Sequence, residues 1–150
     1  MADDAVEEVG IYQVEGERIK SMVFNVADVG KPLAAAGKVV EAGNRVVLDE
    51  GGSYIENKAT GEKMPLRKEK GVYVFDVKYE DGSTGTITRD SGAGVSVWPV
   101  GQLKNVPMQP KKAGLRMVAA NGTEIRNLGQ KTIRFRQSEQ KKKVTFARQS

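Results

Sequence analysis

The sequence contains no cysteine and no histidine among its 150 residues. Without cysteine there is no disulfide, no thiol nucleophile and no thiolate metal site. Without histidine the usual general base and the commonest transition-metal ligand are missing too. These absences exclude Ser-His and Cys-His hydrolases, zinc hydrolases and zinc fingers. Carboxylate chemistry, lysine chemistry, phosphate handling and plain binding remain, and we expect neither a metal nor another cofactor.

Long hydrophobic runs are also absent, because no apolar stretch approaches the roughly 18 residues of a membrane-spanning helix. The acidic start, residues 1–10, lacks the basic and apolar regions of a secretory signal. We therefore expect an intracellular, cytoplasmic protein that does not bind membranes. The content of 39% hydrophobic and 29% charged residues, with 17 glycines, is typical of one folded domain over residues 1–150.

Positive charge is concentrated in the C-terminal part of the chain. Residues 91–150 hold 12 Lys and Arg against 2 acidic residues, a net of +10, whereas residues 1–90 hold 12 against 17, a net of −5. A basic part is typical either of a surface for nucleic acid or an acidic partner, or of a solvated strand face with a loose tail. Few aromatic residues accompany it, which favours the second interpretation.

Short segments rich in Val, Ile, Phe and Tyr, separated by Gly, Asn and Asp, predict a mostly β protein. The predicted strands cover 18–26, 44–48, 71–79, 84–88, 94–98, 114–120, 131–136 and 142–147. One helix is predicted over 31–43, where Pro32 stands near the start and Gly43 at the end. The stretch 79–85, YEDGSTG, is the most linker-like and divides a helix-bearing segment, 1–79, from a second segment, 86–150.

The second segment contains Asp-Ser-Gly-Ala at 90–93, followed by the alternating apolar residues of GVSVWP. Asp90 is either the first residue of a tight turn or a catalytic carboxylate. Two carboxylates that share one proton activate water without His or Cys. Ser91 supplies a hydroxyl, while Gly92 and Ala93 are small enough for two such loops to meet.

This stretch, with GLRMVAANGTEIRNLGQKTIRF after it, resembles the retropepsin-like family, the aspartic proteases of retroviruses and retrotransposons. The resemblance implies an all-β, acid-protease-like closed β-barrel with one short helix. It also implies a hairpin flap over Met117–Leu128 with its tip at Asn121, Gly122 and Thr123. Residues 22–55 are similar to the closing section of that family, which has a strand, an apolar pair, a short helix and a last strand.

The order of these segments differs from the family, since the helix-bearing segment here precedes the catalytic loop. The chain is therefore interpreted as a circular permutant, with 79–85 as the new connection, or as a polyprotein fragment cut out of phase. If the core is kept, the 31–43 helix packs close to the Asp90 loop. Two residues also depart from the pattern: Ala34 replaces the usual Gly, and Arg89 stands where an apolar residue is common. Arg89 points away from Asp90 if its strand alternates normally.

The resemblance implies an aspartic endopeptidase, a hydrolase acting on extended peptide or polyprotein substrates. Only one Asp-Ser-Gly-Ala occurs, so two chains related by a twofold axis must each supply Asp90. Alternating apolar residues are either core or the lining of a substrate cleft, and the candidates are Val95, Val97, Trp98, Leu115 and Ile125. The alternative function is a non-catalytic module of the same fold, kept for self-association or for nucleic-acid binding through the basic C-terminal part.

Overall fold

The computed structural model describes residues 6–13, 19–119, 121–138 and 141–148, with the backbone alone for 6–13 and 141–148. Residues 1–5 of the acidic start and residue 120 of the predicted flap lie outside the described residues. One helix, α1, spans Ala36–Glu41. The strands are β1 (Val6–Gln13), β2 (Lys20–Ala27), β3 (Leu33–Ala35), β4 (Asn44–Val47), β5 (Ser53–Asn57), β6 (Lys63–Glu69), β7 (Val72–Tyr79), β8 (Thr84–Asp90), β9 (Val97–Pro99), β10 (Met117–Val118), β11 (Glu124–Ile125), β12 (Gly129–Gln137) and β13 (Lys141–Arg148).

Six strands close into a barrel in the order β12–β2–β9–β3–β8–β7, and a pairing between β7 and β12 completes the ring. The β2–β9 and β3–β8 pairs are parallel, while β2–β12, β7–β8 and β7–β12 are antiparallel. Strands β6, β5 and β4 extend the sheet outwards from the first half of β7. The predicted all-β closed barrel with one short helix is confirmed.

The barrel core forms because inward positions alternate along the strands. On β7, Phe75, Val77 and Tyr79 belong to the main core, and on β12 Ile133 and Phe135 do. Its centre is Trp98, whose ring meets Phe24 edge-on at 5.1 Å and Tyr79 at 5.7 Å, ring centroid to ring centroid. Edge-to-face packing of this kind stabilises a core beyond its buried area alone.

The linker-like stretch 79–85 is the tight turn that connects the barrel strands β7 and β8. Tyr79 N donates to Ser83 O at 2.8 Å, and Asp81 Oδ1 accepts from Ser83 N at 2.9 Å. Strands before this turn (β2 and β3) and after it (β8, β9 and β12) lie side by side in the same barrel. The two segments of the chain therefore share one core, whatever their order along the sequence.

The predicted helix over 31–43 was too long at both ends. Leu33–Ala35 forms β3 instead, because it pairs in parallel with Thr88–Asp90, and this pairing overrides the helix propensity of alanine. The segment predicted as this helix does reach Asp90, although through a residue of β3. Ala35, the residue before α1, lies directly opposite Asp90 in the sheet.

Strands β1, β5 and β6 were missed from the sequence. In β6 only Met64 and Leu66 are buried, and the other residues are exposed and several are charged, so the alternation of apolar residues is short. Antiparallel pairing with β5 on one side and with β7 on the other holds β6 in the sheet. The predicted strands at 94–98 and 114–120 were too long, since β9 begins at Val97 and β10 holds two residues.

Candidate functional site

Asp90 is the last residue of β8, and the parallel neighbour β3 determines which way it faces. Residues paired across a sheet share a face, so Asp90 lies on the face of Ala35, and Thr88 on that of Leu33. The alternate residues of β8, Ile87 and Arg89, lie on the opposite face, where Ile87 belongs to the main core. Asp90 therefore faces away from the main core.

The loop after Asp90 is an Asx turn, in which Asp90 Oδ1 accepts from Gly92 N at 2.9 Å. Ser91 and Gly92 are exposed, and Ala93 is half-buried. Among the described residues three asparagines accept the same i to i+2 bond: Asn57 Oδ1 from Ala59 N at 2.9 Å, Asn121 Oδ1 from Thr123 N at 3.0 Å, and Asn127 Oδ1 from Gly129 N at 3.0 Å. Asparagine can therefore adopt the local geometry of Asp90. The hydrogen bond from Gly92 N occupies one of the two carboxylate oxygens of Asp90.

Arg89 makes no ion pair with Asp90 among the described residues, and the two side chains leave the strand on opposite faces. The predicted direction of Arg89, away from Asp90, is confirmed by its pairing with Ala34 and Tyr73. Its Nε atom is buried and has no hydrogen-bond partner in the described part of the chain.

The predicted flap region contains a β-hairpin of β10 and β11. Met117 lies opposite Ile125, and Ala119 N donates to Thr123 O at 2.8 Å. Its tip contains Asn121, Gly122 and Thr123, all exposed, and Gly122 has the positive φ of 86° that favours glycine. The hairpin forms a small sheet of its own, separate from the barrel.

A second apolar cluster connects this hairpin to the face on which Asp90 lies. Ala27, Val97 and Met117 are buried in it, with partly buried residues around them, and we call the group the hairpin-side cluster; its other members are Val29, Leu33, Val95 and Ile125. Leu33 stands two residues before Ala35 on the same face of β3, and Ala35 is opposite Asp90. The structure therefore places the hairpin and Asp90 over one face of the barrel.

A buried polar network beside the loop was not predicted from the sequence. Ser96 Oγ accepts from Ala35 N at 3.0 Å, and Asn25 N donates to Ser96 O at 2.8 Å. Asn25 Oδ1 in turn accepts from Asn127 and Gln130 at 3.3 Å each. The network ties β2, β9 and β12 to the residue opposite Asp90. A polar residue inside the apolar runs MVFNVA and VSVW was the only available signal.

A cavity of about 680 Å³ lies between β2, α1 and the β5–β6 hairpin. Val95 and Leu115 line it, and because Val95 also belongs to the hairpin-side cluster, the cavity adjoins that cluster. Its apolar lining includes Met22, Val39, Ile55, Met64, Phe75 and Phe135. A cavity of this size is within the range of small-molecule ligand sites.

The other cleft candidates are placed differently. Trp98 has no exposed surface and lies in the main core, so the structure places it among packing residues and not on a cleft surface. Val97 is buried and Ile125 partly buried in the hairpin-side cluster. Val95 and Leu115 therefore line the cavity, Val97 and Ile125 pack in the hairpin-side cluster, and Trp98 lies in the core.

No family model, no curated protein and no solved structure matches this chain. Within the described residues no cluster of acidic side chains is arranged to hold a metal ion. No helix in the part of the chain that is described is long and apolar enough to cross a membrane.

Proposed function

We propose that this chain is a retropepsin-like aspartic endopeptidase whose active form is a homodimer. The observation that carries the proposal is the position of the Asp-Ser-Gly-Ala loop. It leaves a barrel strand on the face that also bears a β-hairpin and an apolar cluster. A carboxylate, a cover and an apolar surface on one face are what cleavage of an extended peptide requires.

The order of the segments, which we interpret as circularly permuted, is compatible with this proposal. Strands β2 and β3 come from the first segment, yet they lie between β12 and β8 of the barrel. A permutation changes the connections between strands and leaves their packing in place. The β7–β8 turn at 79–85 supplies one such connection.

Catalysis in this scheme depends on two copies of Asp90 sharing one proton. One carboxylate accepts a proton as water adds to the carbonyl carbon, and the other, protonated, donates its proton to the carbonyl oxygen. The resulting diol breaks its C–N bond as the first carboxyl gives its proton to the nitrogen and the second takes a proton from a diol hydroxyl, which releases the amine and restores the shared proton. Asp90 Oδ1 is occupied by Gly92 N, and the exposed Ser91 and Gly92 leave room for a second loop. Val95, Leu115 and Ile125 would contact substrate side chains beneath the hairpin tip.

The decisive experiment compares Asp90→Asn with Asp81→Asn on a mixed peptide library between about pH 4 and 7, where a shared proton persists. Asp81 is a matched control, because its Oδ1 accepts the same i to i+2 bond, from Ser83 N at 2.9 Å. We expect cleavage by the parent and by Asp81→Asn, and none by Asp90→Asn. Cleavage by Asp90→Asn refutes the proposed role of this residue.

Mixing the proteins tests the twofold site directly. Random exchange with an equal amount of Asp90→Asn leaves about half of the parent chains in dimers with two aspartates, so parent activity falls to about half. Adding an equal amount of Asp81→Asn, which keeps Asp90, should instead raise the total activity to about twice that of the parent alone. Activity from a proven monomer contradicts the shared site. If all variants fold and dimerise but none cleaves, the non-catalytic module is the better explanation.

A further inference from the structure

The first half of β2 pairs with a neighbouring strand on one side only. Residues 20–24 pair with β12, whereas β9, on the other side, reaches β2 only from Asn25 onwards. Asn25 N donates to Ser96 O at 2.8 Å, so the backbone groups of Asn25 point towards β9. Alternate residues of a strand direct their N–H and C=O to the same side, so those of Ser21 and Val23 point to the side without a strand. No strand or turn in the described part of the chain bonds to these four groups, and we call residues 20–24 the open edge.

The cavity of about 680 Å³ lies along the open edge. Ser21, Met22 and Val23 line one side of it, and α1, the start of β4 and the β5–β6 hairpin face them across the space. The facing side is mainly polar, and its residues include Lys38, Asn44, Asn57, Thr60 and Glu62. An exposed sheet edge beside an open groove is where an extended peptide adds to a sheet as a further strand.

The open edge lacks the features that usually protect an unpaired strand. Charged side chains, proline or a bulge normally keep such an edge from pairing with other chains. The open edge contains no proline, its register with β12 has no bulge, and its one charged residue, Lys20, forms an ion pair with Glu62. Two apolar side chains here are exposed, Ile19 at 59% and Val23 at 51%, and both line the cavity. The edge therefore offers unpaired backbone and apolar surface together.

Excess positive charge at the cavity favours an acidic partner. The lining contains three lysines and one acidic residue, Glu62, which pairs with Lys20. A second lysine of the lining, Lys38, lies 3.3 Å from Glu41. The third, Lys112, has no ion pair within the described residues. Two copies of the chain would bring these lysines face to face, so like charges oppose the pairing of one open edge with another.

We propose that the open edge binds an extended acidic peptide of a partner protein as an additional strand. The peptide backbone exchanges hydrogen bonds with Ser21 and Val23, an apolar side chain packs beside Val23 and Ile19, and a carboxylate pairs with Lys112. Main-chain bonds of this kind provide affinity, and the side chains beside them provide selectivity. The site uses no group of the Asp90 loop, so it stands or falls without the proposed function.

The test follows amide hydrogen exchange by NMR while a peptide of alternating glutamate and valine, blocked at both ends, is added. In the free protein the amides of Ser21 and Val23 should exchange faster than that of Met22, which points towards β12. At about ten times its Kd, the peptide should slow the exchange of the first two amides about tenfold. All measurements use protein with Asp90→Asn, which keeps the peptide intact should the parent cleave it.

Two N-methylated versions of the peptide distinguish strand pairing from unspecific contact. One carries methyl groups on its valine amides and the other on its glutamate amides. Successive amides of an added strand point to opposite sides, so only one of these sets faces β2. We expect one methylated peptide to bind at least about tenfold more weakly than the unmethylated peptide, and the other to bind within about threefold of it.

Two lysine variants test the preference for acidic peptides. Lys112→Gln should weaken binding about 2–5-fold, as the loss of one exposed ion pair does. Lys111→Gln is the matched control and should change little, because Lys111 is exposed but does not line the cavity. No saturable slowing at Ser21 and Val23, equal effects of the two methylated peptides or of the two lysine variants, or equal binding of a lysine–valine peptide each overturns the proposal. Protection of both amides that rises with protein concentration in the absence of peptide also overturns it, because a second copy is then the occupant.

Discussion

Replacing Gly129 by alanine tests how the loop after β9 is attached to the barrel. Gly129 begins β12 with a φ of 148°, and a Cβ atom there would lie 2.6 Å from Gln109 O and 2.7 Å from Met108 Cγ. The backbone of Gln109 is fixed, because it exchanges two hydrogen bonds with the backbone of Gln130, at 2.7 and 2.9 Å. The substitution therefore combines backbone strain with a clash against fixed backbone.

The expected loss is the sum of these two effects. An unfavourable φ costs about 1–3 kcal/mol and overpacking about 1–3 kcal/mol, so the sum is about 2–6 kcal/mol with a central value of about 4 kcal/mol. At about 2–4 °C per kcal/mol for a domain of this size, the Tm measured by calorimetry should fall by about 8–16 °C. Gly37→Ala is the matched control, since Gly37 lies inside α1 with no atom within 4 Å of the added Cβ.

Gly37→Ala should raise the free energy of unfolding by about 0.5–1 kcal/mol, because alanine is the better helix residue. The reasoning is refuted if Gly129→Ala melts within about 1 °C of the parent, a shift that corresponds to less than about 0.5 kcal/mol. It is also refuted if both alanine variants lose stability equally, since only one of them introduces a clash.

Two further predictions concern buried polar groups. Ser96→Ala should lower the free energy of unfolding in urea by about 1–3 kcal/mol, because it leaves Ala35 N without its acceptor, whereas the exposed Ser21→Ala should change little. The folded state holds the Tyr79 proton up to a pKa of about 12, whereas the unfolded chain loses it near pH 10, so the stabilising contribution is complete below pH 10 and is lost as the pH rises towards 12. Tyr79→Phe should show a smaller decline over that interval in denaturation at constant temperature, and an unchanged decline would contradict the assignment.

Much of the barrel could be predicted from local patterns. The strands β7 and β12 alternate between core and exterior over most of their eight and nine residues, which is long enough for the period to be recognised. The strand β3 could not be predicted, because Leu33–Ala35 lies within an alanine-rich stretch that favours helix. Its extended form depends on pairing with Thr88–Asp90, a contact between residues 55 positions apart in sequence. A tertiary contact of that kind has no local signal.

The polar network beside the loop has the same origin. Asn25 in β2 and Ser96 just before β9 are each a single polar residue in an apolar run, and either side chain alone predicts nothing more than a tolerated buried group. Their roles arise because the parallel pairing of β2 and β9 brings Asn25 N to Ser96 O, and Ser96 Oγ to Ala35 N. The connection from β12 to the residue opposite Asp90 exists only once the barrel has closed.

The local geometry at Asp90 is the same for a turn residue and for a catalyst. The Asx turn at Asp90 is matched by those at Asn57 and Asn121, so its hydrogen bond would be the same in either case. What separates the two roles is the second carboxylate, which a single chain cannot supply because it contains only one Asp-Ser-Gly-Ala. If Asp90 acts as proposed, the shared proton requires a pair of chains, and for that reason the mixing experiment with Asp90→Asn tests the proposal more sharply than any measurement on one protomer.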